Sequence, residues 1–180
     1  GYDTLQGIND DNLAMRLLHY QIPEYGVTLG FYPHQFTQVN ALMNRELVRT
    51  VMGYLAPVKG EPVLDMFCGI GNFTLPLARA GARAVGVEAS EEAVERAKAN
   101  AGDNALASDC RFFAADLYGD AGKGQAIWSK LEATPKALIL DPPRSGAGPN
   151  LDSWVQVESL QRVVYVSCNP FSFAEDAKLL

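Results

Sequence analysis

No stretch of these 180 residues stays apolar long enough to cross a bilayer, because Asp, Glu, Lys or Arg interrupts every candidate run. The opening residues, GYDTLQGINDD, are polar and acidic, so they do not read as a signal peptide. Cysteine is scarce. Cys68, Cys110 and Cys168 are odd in number and widely spaced. That argues against a disulfide framework and a zinc site, and for a reducing compartment, so the cytoplasm is the expected location. Positive charge is also short, with 15 Lys and Arg against 21 Asp and Glu, a formal net charge of −6. Surfaces that grip nucleic acid are usually basic, so the composition stands against nucleic-acid binding by this chain alone. Internal repeats, low-complexity tracts and a GxxxxGK[ST] phosphate loop are all missing.

What is present is an ordinary globular composition, 48% hydrophobic and 20% charged, at a length that buries one core. LAMRLLHY, near the start, suggests a turn or two of helix, and GVTLGF (26–31) alternates like a strand. From Phe36 to Leu55 apolar residues recur at helical spacing, and Pro57 stops the pattern. The rhythm then changes to strand, helix, strand. Strands are expected at 62–67, 82–88, 110–116, 136–141 and 162–167. Helices are expected at 73–80, at 91–101 with Ser90 as N-cap, in GKGQAIWSKLE, and in LDSWVQVESL. This alternation predicts an α/β fold, a mostly parallel sheet with helices on both faces. Residues 1–32 read as a lead-in segment with one strand, and 33–180 as the catalytic domain.

Ligands of such sheets bind beyond the carboxyl ends of the strands, so the residues just after each strand carry the information. The first strand ends in Asp65-Met66-Phe67-Cys68-Gly69-Ile70-Gly71-Asn72, a glycine turn that permits close approach of a ligand. Thr74 stands where a dinucleotide fingerprint would place a third glycine. The second strand ends in Glu88, which suits the two hydroxyls of a ribose or, more plainly, the start of the next helix. The third ends in Asp116, which suits an adenine amino group or a turn. Together these ends describe an adenosine-shaped pocket. The fourth strand ends in Asp141-Pro142-Pro143-Arg144, a carboxylate stiffened by two prolines. The fifth, VVYVSCNP, runs from apolar residues straight into Cys168 on a proline-stiffened turn. A packing cysteine would sit better inside the strand.

FYPHQFTQVN, LDMFCGIGNFTLPLA, GVE, LDPPRSG and VYVSCNP, in this order, resemble the SAM-dependent RNA uracil-5-methyltransferases. The wording is most similar to the bacterial 23S rRNA enzymes, with the tRNA enzymes as close relatives. The resemblance runs from about Gly26 to the last residue. It implies a Rossmann-like class I methyltransferase fold and S-adenosyl-L-methionine (SAM) as cofactor. Gln38, Phe67, Asn72, Glu88, Asp116 and Asp141 match cofactor-site positions, and Cys168 matches the nucleophile. In the chemistry so implied, sulfur adds to C6 of uracil, C5 attacks the methyl group, and a base then removes the C5 proton while the thiolate leaves. Cys68 and Cys110 are left as packing residues. The resemblance also implies that the chain is a fragment, truncated at the C-terminus inside the helix after Cys168. Family members continue with two strands and a His-x-Glu motif that carries the base, and many begin with an RNA-binding domain. RNA, rRNA ahead of tRNA, would then be held mainly outside this chain, with no membrane involved. A SAM-binding segment without activity of its own is the alternative. An amino-group methyltransferase fits less well, because Arg144 stands where an aromatic residue would be needed. An NAD-binding domain is disfavoured by Thr74.

Overall fold

The computed structural model describes residues 16–38, 40–119 and 133–180. The chain enters through an antiparallel hairpin of β1 (Leu18–Ile22) and β2 (Val27–Phe31). The helix suggested by LAMRLLHY is therefore corrected, its residues 13–15 lying outside the described residues. Tyr20 and Ile22 turn inward while His19 and Gln21 face solvent, a period of two. Pro23 opens a single 3-10 turn, and Gly26 at φ +57° reverses the chain.

The free edge of β2 is closed by two asparagines of a later helix. Asn100 accepts from Gly30 N (2.8 Å) and donates to Gly30 O (3.1 Å). Asn104 does the same for Thr28, at 2.9 and 2.7 Å. The fit is geometric. Residues i and i+4 of a helix lie about 6 Å apart along its axis, close to the ~6.7 Å between residues i and i+2 of a strand.

Helix α1 (Ala41–Leu55) begins later than the apolar spacing from Phe36 suggests. Asn40 caps it, accepting from Met43 N at 3.1 Å, and Phe36 is 81% exposed in the loop before it. It ends as expected, with Ala56 in the left-handed region before Pro57. Then come β3 (Pro62–Met66), α2 (Thr74–Arg79), β4 (Arg83–Glu88), α3 (Glu91–Asp103) and β5 (Cys110–Ala114). Ser90 caps α3 through Ala93 N (3.2 Å), as expected. The helix expected in GKGQAIWSKLE lies outside the described residues. The chain closes with β6 (Ala137–Leu140), α4 (Leu151–Val155), β7 (Arg162–Tyr165) and α5 (Pro170–Asp176). α4 is half the length expected for LDSWVQVESL. Its chain leaves the helix at Gln156, and Ser159 Oγ donates to Pro135 O (2.8 Å) in the following loop. α5 ends at Asp176, so the last residues form a turn rather than the continuing helix expected there.

The five later strands form one parallel sheet in the order β5-β4-β3-β6-β7. Side chains alternate between its faces. Val63, Ala137 and Ile139 join residues of α1, α2 and α3 in one core. Leu64, Met66, Leu138 and Leu140 join Leu151 and Trp154 of α4 in the other. The hairpin's Ile22, Val27 and Leu29 belong to the first. From β3 the chain moves outward to β4 and β5, then returns to lay β6 on the opposite side of β3. The strand order thus reverses between β3 and β6, where open α/β sheets form their ligand crevice.

Candidate active site

All five strands run the same way, so Phe67, Asp116, Asp141 and Cys168 follow the carboxyl ends of β3, β5, β6 and β7, and Glu88 ends β4, along one edge of the sheet. The turn after β3 is tightly constrained. Gly71 has φ +97°, and a Cβ there would stand 2.2 Å from Leu75 Cδ1. Gly69 has φ +52°, yet a Cβ there would meet nothing within 4 Å. Gly71 is demanded by its left-handed backbone, and a side chain there would also have to displace buried Leu75, whereas Gly69 leaves open space beside the backbone. Phe67 also has a positive φ, +64°. Its ring packs 6.0 Å from Tyr118 and 6.0 Å from Trp154, contacts that hold a conformation costing about 1–3 kcal/mol.

Glu88 serves the backbone at both ends of its carboxylate. Oε2 accepts from Gly69 N (3.1 Å), and Oε1 accepts from Ala89 N (2.7 Å) and Ser90 N (3.0 Å). The helix-start role is therefore present. It also fixes the carboxylate against the glycine turn, with a lone pair left on Oε2 for a hydroxyl donor. Asp116 is exposed and accepts from Tyr118 N at 3.0 Å. Asn72 pairs reciprocally with Asn44 of α1, at 2.9 Å each way, and accepts from Tyr20 OH at 2.9 Å. One amide hydrogen of Asn72 remains for other use. Gln38 is half-buried in the loop before α1, two residues ahead of the cap. That loop is tied to α3, because His34 Nε2 meets Glu92 Oε1 at 2.5 Å and Gln35 Nε2 donates to it at 3.2 Å.

Two carboxyls lie under the crevice. Asp65 is fully buried and accepts from Thr74 Oγ1 at 2.6 Å. Burial pushes it up to about 7 against the opposing Thr74 bond, with the charges of Asp141 and Glu88 adding to the rise. Asp141, half-buried at the end of β6, is raised to about 6 by burial. The three thiols separate sharply. Cys68 and Cys110 are buried, and burial raises both, Cys110 to about 11. Cys168 is exposed. Its turn is locked by Ser167, whose Oγ accepts from Asn169 N (3.1 Å) and donates to Asn169 O (2.9 Å).

Asn44 and Asn100 carry no expectation from the sequence, and Thr74 enters there only as a missing glycine, not as the partner of Asp65. Both asparagines had a signal in principle. Asn44 lies on the buried stripe of Val48, Val51 and Leu55, and Asn100 on that of Val94, Ala97 and Ala101. A buried amide on an apolar helical face needs partners, and here both sit against the hairpin or the glycine turn, with Asn100 also donating to Ile70 O (3.1 Å).

The family model of tRNA (uracil-5-)-methyltransferases matches residues 12–180. The chain belongs to that family. A relative in Hahella chejuensis, a 23S rRNA (uracil(1939)-C(5))-methyltransferase RlmD, is 46% identical over 170 residues, 93% of this chain and 37% of the relative. The RlmD of Acinetobacter baylyi is 43% identical over 183 residues, covering all of this chain and 38% of its own. The chain therefore spans little more than a third of these family members. Among solved structures, the Pyrococcus abyssi tRNA (uracil-54, C5)-methyltransferase in complex with S-adenosyl-L-homocysteine matches with a TM-score of 0.75 and 32% identity, over 91% of this chain and 38% of that one. The architecture is the Rossmann-like fold of SAM-dependent methyltransferases. Among the described residues no helix is long and apolar enough to cross a membrane.

Proposed function

We propose that the complete protein transfers a methyl group from SAM to C5 of a uridine in RNA through an adduct between Cys168 and C6 of the base. The observation that carries this reading is the exposed thiol of Cys168, set beyond β7 on the same sheet edge as the glycine turn, in a chain of this family. The pocket suits an adenosine. It offers a fixed carboxylate at Glu88, open space beside Gly69 and, among the described residues, no cluster of cations for a phosphate. In this reading Gln38, Phe67, Asn72, Glu88, Asp116 and Asp141 hold the cofactor, which supplies an electrophilic methyl on a sulfonium.

Cys168, as thiolate, forms a bond to C6, and the C5–C6 π electrons move into an enolate. With SAM bound, C5 would take its methyl group, the methyl–sulfonium bond breaking to leave S-adenosyl-L-homocysteine. The C5 proton then passes to a base, the double bond re-forms and the thiolate departs. The proton-accepting carboxylate is assigned outside this sequence, and so is most of the RNA grip, which answers the net charge of −6. Asp141 lies between cofactor and target base. Residues 33–180 act as the methyl-transferring domain, with 1–32 leading into it, and the reaction belongs in the cytoplasm. Ribosomal RNA is favoured over tRNA because the rRNA relatives reach 46% identity against 32% for the archaeal tRNA enzyme.

The test is RNA carrying 5-fluorouridine, whose fluorine cannot leave as a proton does. The complete protein should stall as a denaturation-resistant adduct. Cys168→Ser should abolish it, while Cys68→Ser and Cys110→Ser should retain it. An adduct mapped to Cys68 would overturn the assignment.

A further inference from the structure

Asp176 ends α5, where a helix's own carbonyls disfavour a negative charge. Two donors compensate. Oδ2 accepts from Ala147 N at 2.7 Å and, in a short hydrogen bond, from Tyr165 OH at the end of β7. The approach is close enough that Gly146 admits no side chain. Its φ is +91°, and a Cβ there would stand 2.7 Å from Asp176 Oδ2 and 3.3 Å from Ser172 Cβ. The other end of α5 is tied to the same loop. Asn169 caps the helix, its Oδ1 accepting from Phe171 N at 3.1 Å, while its Nδ2 donates to Arg144 O at 2.8 Å. The loop is itself braced, with Gly146 N donating to Pro143 O (2.9 Å) and Tyr118 OH donating to Gly146 O. Asn169 and Asp176 thus join the segment carrying Cys168 to the loop that begins at Asp141. The β6–β7 pairing, with Val166 N donating to Leu140 O at 2.7 Å, already sets the two strand ends side by side, and these bonds fix the loops beyond it, where Cys168 and residues 142–147 leave the sheet.

We propose that Asp176 is a positioning residue for methyl transfer: with Asn169 it clamps α5 onto the 141–147 loop and so sets where Cys168 stands relative to Asp141. The proposal rests on the function given above. Its effect should fall on the addition of the thiol to the base, because a displacement of about 1 Å at reacting atoms can cost ~10²-fold in rate. The cofactor pocket of β3, β4 and β5 should not feel it.

The experiment uses the complete protein and single-turnover adduct formation with 5-fluorouridine RNA. Binding of S-adenosyl-L-homocysteine is measured by calorimetry, and hydrogen exchange is followed at the Ala147 amide. Asp176→Ala should slow adduct formation on the order of 10–100-fold, leave the homocysteine affinity within about twofold, and expose the Ala147 amide. Asp176→Asn, whose oxygen still accepts from Ala147 N, should recover most of the rate. Asn169→Ser keeps a capping hydroxyl but loses the donor to Arg144 O, and should give the same selective slowing even if Asp176→Ala folds poorly. Adduct rates within twofold of wild type overturn the proposal. So does an affinity that falls in step with the rate, an Asn variant no better than Ala, or an Ala147 amide equally protected in Asp176→Ala. A wild-type protein that forms no adduct refutes the underlying function and the proposal with it. Loss of Ala147 protection in the same set would then show a clamp that serves only structure.

Discussion

Replacing Asp65 by asparagine isolates what a buried charge beneath the glycine turn does to the fold. Asp65 is completely buried, and its pKa rises from 3.8 to about 7. Between those values the folded chain holds a proton that the unfolded chain has released. Stability therefore falls as pH climbs from about 4 to about 7, and the loss is complete above that. A gap of about three, at 1.36 kcal/mol for each pKa unit, gives about 4 kcal/mol. That is an upper figure, since relaxation and water entry soften it, but it is large beside a total stability of about 5–15 kcal/mol. Asparagine cannot ionise. Its oxygen can still accept from Thr74 Oγ1, but its amide would point where Asp65 Oδ1 has no partner. Those unmet donors cost about 1–3 kcal/mol at every pH. The sign of the difference at one pH is therefore uninformative, and its slope is the test. Urea unfolding of both proteins at pH 4.5 and 8.5, without cofactor, would measure it. With a slope of about 2–3 kcal/mol per molar urea, the variant's midpoint should gain about 1–2 M on wild type between the two conditions. Asp141, raised to about 6, titrates in both proteins and largely cancels. A difference between the proteins that does not change with pH would refute the reasoning.

Glu88→Gln leaves one oxygen where three backbone N–H groups now donate to two, and turns an amide toward a donor. Calorimetry should show S-adenosyl-L-homocysteine binding weakened about tenfold or more, with about 1 kcal/mol of stability lost at the start of α3; unchanged affinity would remove Glu88 from the pocket. Asn44→Ala should destabilise by about 1–3 kcal/mol in thermal or urea melts, because Asn72 loses both bonds of the reciprocal pair and keeps only the one from Tyr20 OH. Adding Asn72→Ala should cost less than its own single effect, and strict additivity would refute the pairing.

The alternation of strands and helices after residue 60 was legible because each strand is a short apolar run bounded by turn residues. β6 is the extreme case, buried on both faces as a central parallel strand must be. The errors have physical causes. At β1 the apolar run LLHY hides a period of two that shows only once Ile22, Tyr20 and the turn after Pro23 are read together. At α1, Phe36 falls on the helical spacing yet stays in solvent. The capping amide of Asn40, three residues before a backbone N–H that needs an acceptor, was the stronger signal. At α4 the apolar spacing continues past Val155, but the chain turns to bring Arg162 and β7 alongside β6, a tertiary demand with no local mark.

The site divides along the same line. A parallel sheet sends every strand end to one edge, so reading the residues at or just after each strand end was enough to gather Phe67, Glu88, Asp116, Asp141 and Cys168. What holds these loops against one another was not legible. Asn100 meets Ile70 O, Asn169 meets Arg144 O, Asp176 meets Ala147 N, and Glu88 meets Gly69 N. In each pair one partner is a backbone group, which every residue supplies, so the sequence shows a polar side chain and nothing of what it will touch. The exposed thiol can be found from the letters SCNP. Its place relative to the Asp141 loop is set by the β6–β7 pairing and by side chains whose partners are amides and carbonyls that leave no letter behind. Substitutions at Asn169 or Asp176, outside the expected site residues, are therefore where chemistry should fail while the cofactor pocket stays intact.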